Sequence, residues 1–158
     1  MTSTLIAGPG EEPVTLAEAK AFCRIDTTDE DALISALIAA ARLQVESLTG
    51  RALVTQSWRL AICPRGLVVE LPVIPVSALT AAPDGAILQG DAVLLASPET
   101  GEITIDYTAG YGGPEDVPGD LKQAVLLLVA FWFENRDSPE AAPVGFERLL
   151  SSYARVRL

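Results

Sequence analysis

The chain has 158 residues, one domain's worth on ordinary size expectations, with 49% hydrophobic and 20% charged residues. That composition suits a packed globular protein and excludes intrinsic disorder. Eleven Lys+Arg against 21 Asp+Glu give a net charge of −10 with no histidine, which argues against a general nucleic-acid binder and excludes His-based triads and zinc-hydrolase motifs.

In chain order, Met1–Gly10 ends in Gly8-Pro9-Gly10 and reads as a loose arm. It carries no basic stretch before an apolar core, so it is not read as a secretory signal. Thr15 as N-cap with Glu18 three residues on forms a capping box, predicting a short helix over about 15–24. Thr27-Thr28-Asp29-Glu30-Asp31 predicts the start of a second helix over about 28–49, with acidic residues at the positive end of the dipole and Gly50 as its stop. On it, Ile34, Leu37, Ile38, Ala41, Val45 and Leu48 form one apolar stripe at 3–4 residue spacing. Leu33, Ala36, Ala40 and Leu43 make a second apolar side, which needs its own partner and is a candidate subunit contact.

Residues 51–110 change to short β-rich segments: Ala52–Ile62, Leu67–Leu71, Ala86–Leu88, Val93–Ala96 and Glu102–Tyr107. Prolines 64, 72, 75, 83 and 98, with Asp84-Gly85 and Gly90-Asp91, supply the turns. After a Gly/Pro-rich loop, Pro118 opens a helix over about 118–135 whose run Ala124–Phe133 is apolar nearly all round. That makes it the central core helix; ten residues are too few to span a bilayer. A Pro-containing linker, Ser138–Pro143, precedes a short amphipathic helix over Val144–Tyr153 and the tail Arg155-Val156-Arg157-Leu158. Residues 144–158 carry a net +2, against −12 for the rest.

No catalytic set assembles. Asp26–Asp31 lacks the glycine at position six and the Glu at position twelve of a calcium loop, having Asp31 and Leu37 there. Gly110-Tyr111-Gly112-Gly113 is followed by Glu115 and Asp116, which repel phosphate, and no Lys-Ser/Thr pair follows. Glu115 and Asp116 are adjacent and poorly placed to flank one bond. Trp58, Phe131, Trp132 and Phe133 lack interleaved basic residues and read as core. Cys23 and Cys63 stand far apart with no CxxC spacing, predicting a reduced, intracellular, soluble chain with no disulfide framework and no zinc site.

Three stretches resemble the head–tail connector (adaptor) proteins of long-tailed bacteriophages and related gene transfer agents. They are Val14-Thr15-Leu16-Ala17-Glu18-Ala19-Lys20 leading to Arg24-Ile25-Asp26 and Thr28-Asp29-Glu30-Asp31; Tyr107-Thr108-Ala109-Gly110-Tyr111-Gly112; and Val117-Pro118-Gly119-Asp120-Leu121-Lys122-Gln123-Ala124-Val125. Thr55-Gln56-Ser57-Trp58-Arg59-Leu60 and Leu71-Pro72-Val73-Ile74-Pro75-Val76 look like the subgroup with an enlarged β insertion. Together these cover most of residues 13–135.

The resemblance implies a structural protein with no catalysis, cofactor or metal. It implies a dodecameric ring of copies beneath the portal protein, extending the DNA channel and docking a tail-side connector or stopper, at the head–tail junction of a particle made in the bacterial cytoplasm. DNA would pass without specific binding, and no membrane is involved. The expected fold is α+β, a mainly helical bundle subunit with a small antiparallel β insertion between the second and third long helices. Residues 1–143 form the connector domain, with the insertion at about 51–110, and 144–158 a C-terminal docking segment. In that segment Phe146, Arg148, Leu149, Leu150, Tyr153, Arg155, Val156, Arg157 and Leu158 are expected to dock the portal; Leu33, Ala36, Ala40 and Leu43 are the expected subunit contacts. The alternatives are a phage-particle hydrolase using acidic residues and a small acidic binding module; substitution of Glu115 and Asp116 would separate the enzyme from the others.

Overall fold

The computed structural model describes residues 1–136 and 142–153. The chain runs β1 (Thr2–Ala7), α1 (Leu16–Cys23), α2 (Asp31–Thr49), β2 (Gln56–Ile62), β3 (Val68–Glu70), β4 (Val76–Ala81), β5 (Ile87–Gln89), β6 (Ala92–Leu94), β7 (Ile103–Ala109), a 3-10 turn at Pro114–Asp116, α3 (Gly119–Glu134) and α4 (Phe146–Leu150). The α1 start is the capping box its residues encode: the Glu18 amide donates to Thr15 Oγ1 at 3.1 Å, and the Thr15 amide donates to Glu18 Oε2 at 2.7 Å. Gly50 ends α2 in the left-handed region at φ 67°, which glycine adopts without strain.

The mainly helical bundle is overturned. With 34% helix and 25% strand, four helices and two antiparallel sheets among the described residues, the fold is α+β with comparable layers. One sheet is four-stranded, in the order β1-β2-β7-β4, and the other three-stranded, in the order β3-β6-β5. Two strands make the difference. The expected loose arm is β1, which pairs antiparallel with β2 from Thr2 opposite Ala61 to Ala7 opposite Ser57. All six of its residues are exposed, so no buried face imposes the alternation by which a strand is recognised. The other, β4, is mostly exposed and shifts register twice against β7. The β region is therefore no insertion closed within 51–110, since the N-terminus completes its larger sheet.

Two apolar cores result. One gathers Ile34, Ile38, Ala41 and Val45 of α2 against Leu121, Val125, Leu128 and Val129 of α3. The other lies under the sheets, with Leu60, Ile105 and Tyr107 meeting Val69, Leu71 and Val93. Each fully buried aliphatic side chain contributes about 1.5–3 kcal/mol, so both cores are substantial. The segment after α2 passes from one to the other: Ala52 belongs to the sheet core, Leu53 and Val54 to the helical core. The loop following β7 clamps this segment, because Tyr111 N–H donates to Leu53 O, and Thr55 N–H to Gly112 O. The approach is close. A Cβ on Gly110 (φ 133°) would stand 2.6 Å from Val54 O and 2.7 Å from Thr55 N, so that position requires glycine.

Candidate interaction surfaces

The outward side of α2 carries the second apolar stripe. Leu33, Ala36, Ala40 and Leu43 are all exposed, while Ile34, Ile38, Ala41 and Val45 are buried on the opposite side. All four expected subunit-contact residues thus share one uncovered face. Beside it a groove of about 420 Å³ runs between α2 and the end of α3, lined by Leu33, Leu37, Ala40, Trp132, Asn135 and Arg136. Arg136 donates to Glu30 at 2.7 Å and lies 5.0 Å from the Phe133 ring, tying the end of α3 to the start of α2. By length and composition α2 could cross a membrane, but its buried stripe is occupied by α3.

Lower on α2 a polar knot fixes the helix to the sheet. Buried Arg42 donates to Glu12 Oε2 and to Glu46 Oε2, each at 2.8 Å. The other oxygen of Glu46 accepts from the Leu53 amide at 2.9 Å and from Gln56 Nε2 at 2.6 Å. Burial pushes the Glu46 carboxyl up, against the pull of these donors. For Arg42, burial works against the charge, yet the carboxylates of Glu12 and Glu46 outweigh it and raise the guanidinium further. The knot is structural, with every charge paired.

The C-terminal docking residues divide. Phe146 and Leu150 are buried in the chain's own helical core, with Leu149 and Tyr153 packed against it. Their apolar face is thus already occupied within the subunit, and α4 spans five residues rather than the expected 144–153. Arg148 is exposed. Arg155, Val156, Arg157 and Leu158 lie outside the described residues, as does 138–141 of the expected linker. Arg51, which the sequence did not single out, holds this segment: it donates to Tyr153 O at 3.4 Å and to Tyr111 Oη at 3.0 Å. A lone arginine after a helix stop carries no pattern by which such a role could be found.

The acidic positions gather no metal site: among the described residues no three His, Cys, Asp or Glu side chains are placed to hold an ion. Glu115 and Asp116 belong to the 3-10 turn, where Asp116 accepts from the Gly113 amide at 3.0 Å. Cys23 is partly buried and Cys63 exposed, both as free thiols.

Residues 13–88 match the family model of the phage gp6-like head-tail connector protein, and residues 75–145 match that of the head completion protein. No curated protein matches the chain in sequence. Among solved structures it is similar to a chain in the neck of an empty GTA particle computed with C6 symmetry, at 26% identity and TM-score 0.83. It is similar also to a chain in the virion of a native gene transfer agent particle, at 26% and 0.84, and to one in the neck of a native GTA particle computed with C12 symmetry, at 27% and 0.77. Each similarity covers 100% of this chain and 97% of the other.

Proposed function

We propose that this chain, a structural head–tail connector protein and not an enzyme, assembles with copies of itself into a dodecameric ring that extends the DNA channel between a portal protein and a tail-side protein. The exposed stripe Leu33–Ala36–Ala40–Leu43 carries the reading. A closed ring is built from head-to-tail contacts, each needing a surface that one subunit leaves uncovered for the next. An apolar helix face of this length, in a chain similar end to end to one from a neck with C12 symmetry, supports that use. The net charge of −10 suits a channel wall past which DNA must slide, since phosphate contacts would hold it.

Portal docking falls to the C-terminal segment 144–158. Phe146 and Leu150 root it in the subunit, leaving Arg148 and the terminal Arg155-Val156-Arg157-Leu158 as the groups that reach the partner. The test is electron microscopy of particles carrying Leu33→Asp with Leu43→Asp. The isolated variant should fold as the wild type does, and the particles should lack the ring. Intact rings in the variant particles would remove this face from the interface. Removal of residues 154–158 should leave a folded, ring-competent subunit that no longer attaches to portal-bearing heads; normal attachment would sink that assignment.

A further inference from the structure

We propose that the outer face of the three-stranded sheet docks a protein of the particle other than this chain, one presenting an aliphatic strip bordered by Lys or Arg. The inference rests on the connector reading above, which supplies the particle in which the partner is met.

The register of β3, β6 and β5 sets Val68, Leu94 and Ile87 directly opposite one another, in a single row across the sheet. The adjacent row, Val69, Val93 and Leu88, points the other way into the sheet core, with Val69 and Val93 buried. The first row therefore looks outward. Val68 is 61% and Ile87 57% exposed at the two ends of the row, Leu94 between them is half-buried, and neighbouring Leu67 is exposed as well. An antiparallel sheet with one buried face ordinarily alternates to polar residues on the other, as the next outward row does with Glu70 and Gln89. Here the outward aliphatics are in register, and an apolar row exposed at both ends in this way marks an interaction surface.

Charge selects the occupant. Between Gly66 and Gly101 the chain has four carboxylates, Glu70, Asp84, Asp91 and Glu99, and no Lys or Arg. Two copies meeting face to face through this row would bring like charges together. DNA would be repelled. A different protein with a basic rim gains both the apolar burial and the charge match, which steers association and fixes register.

The test compares particles carrying wild-type chain, Val68→Ser with Ile87→Ser, or Glu70→Lys alone. All three positions are exposed, so circular dichroism and melting of the isolated variants should match wild type. Purified particles are then analysed by electron microscopy and mass spectrometry. The expected result for the double variant is a ring of normal occupancy with at least a tenfold loss of one other neck protein. Glu70→Lys should lower the same protein's content less severely. Unchanged composition in ring-bearing double-variant particles overturns the proposal alone, and loss of the ring with a folded variant assigns the row to contacts between copies and also overturns it. No effect of Glu70→Lys removes the basic rim from the partner. Wild-type particles without a ring overturn the connector reading, and this one with it.

Discussion

Arg51 and Tyr153 stand 102 positions apart, yet the guanidinium of one donates to the carbonyl of the other and lies 5.5 Å from its ring centre. The same guanidinium reaches Tyr111 Oη at 3.0 Å, so a single side chain joins the end of α2, the loop after β7 and the C-terminal segment. A charged donor shared in this way contributes about 1–2 kcal/mol. Arg51→Ala should lower stability by that amount and speed hydrogen exchange in residues 146–153, leaving α2 and α3 protected. Unchanged exchange there would show that Phe146 and Leu150 hold the segment unaided.

At the polar knot, Glu46→Ala leaves the Leu53 amide without its acceptor and Arg42 short of one carboxylate. Stability should fall by about 3 kcal/mol in urea denaturation, the scale for breaking a buried charged pair. Glu46→Gln keeps an oxygen for the Leu53 amide and should fall by clearly less. Equal losses would mean that the charge, and not the acceptor, is what the site uses.

Gly110→Ala sets a methyl group within 2.6 Å of Val54 O at φ 133°. The loop and the 52–55 segment cannot both keep their positions, and a loss above about 2 kcal/mol is expected. Gly90→Ala, in the open two-residue turn between β5 and β6, meets nothing within 4 Å. It carries only the strain of φ 62° and should cost about 1 kcal/mol. Thermal melts of the two variants, side by side, check the ranking.

Acid should destabilise the subunit through Glu18 and Asp106. The Thr15 amide holds the Glu18 carboxyl below its ordinary 4.5, and Arg59 holds Asp106 below 3.8. A depressed carboxylate stabilises fully above its unfolded value and loses that contribution as pH falls through the folded one, so the loss occupies the range below about pH 4.5. Glu46, shifted the other way, contributes in the opposite sense as pH rises. Glu18→Gln should flatten the acid limb of the stability profile, and an unaltered limb would remove the capping box from it.

The helices were legible because their ends are written locally: Thr15 with Glu18 at one start, Gly50 at one stop, and apolar residues at 3–4 spacing between. The same spacing picks out Ile34, Ile38, Ala41 and Val45, which are buried, but it also includes Leu37, which is half-buried, and Leu48, which is 49% exposed. β1 was not legible. Thr2–Ala7 buries nothing and is held by backbone bonds to β2, whose sequence lies some fifty residues on. Nor could periodicity say what the apolar face of the C-terminal segment would meet; Phe146 and Leu150 satisfy it inside the subunit. The outward row Val68–Leu94–Ile87 depends on register between three short strands, and each alone shows one aliphatic residue among others.

The alternation of Ala52 with Leu53 and Val54 between the two cores has a further meaning for how the chain can be divided. The helical core draws on residues before and after the β region, and the larger sheet needs the N-terminus, β2 and β7 together. A fragment ending at residue 88 holds α1 and α2 but lacks α3 and β7; one beginning at residue 75 holds those two but lacks α2 and β2. Neither contains a complete core. The chain should therefore unfold in one transition, checked by coincident loss of near- and far-ultraviolet circular dichroism, although residues 13–88 and the overlapping 75–145 match two differently described family models.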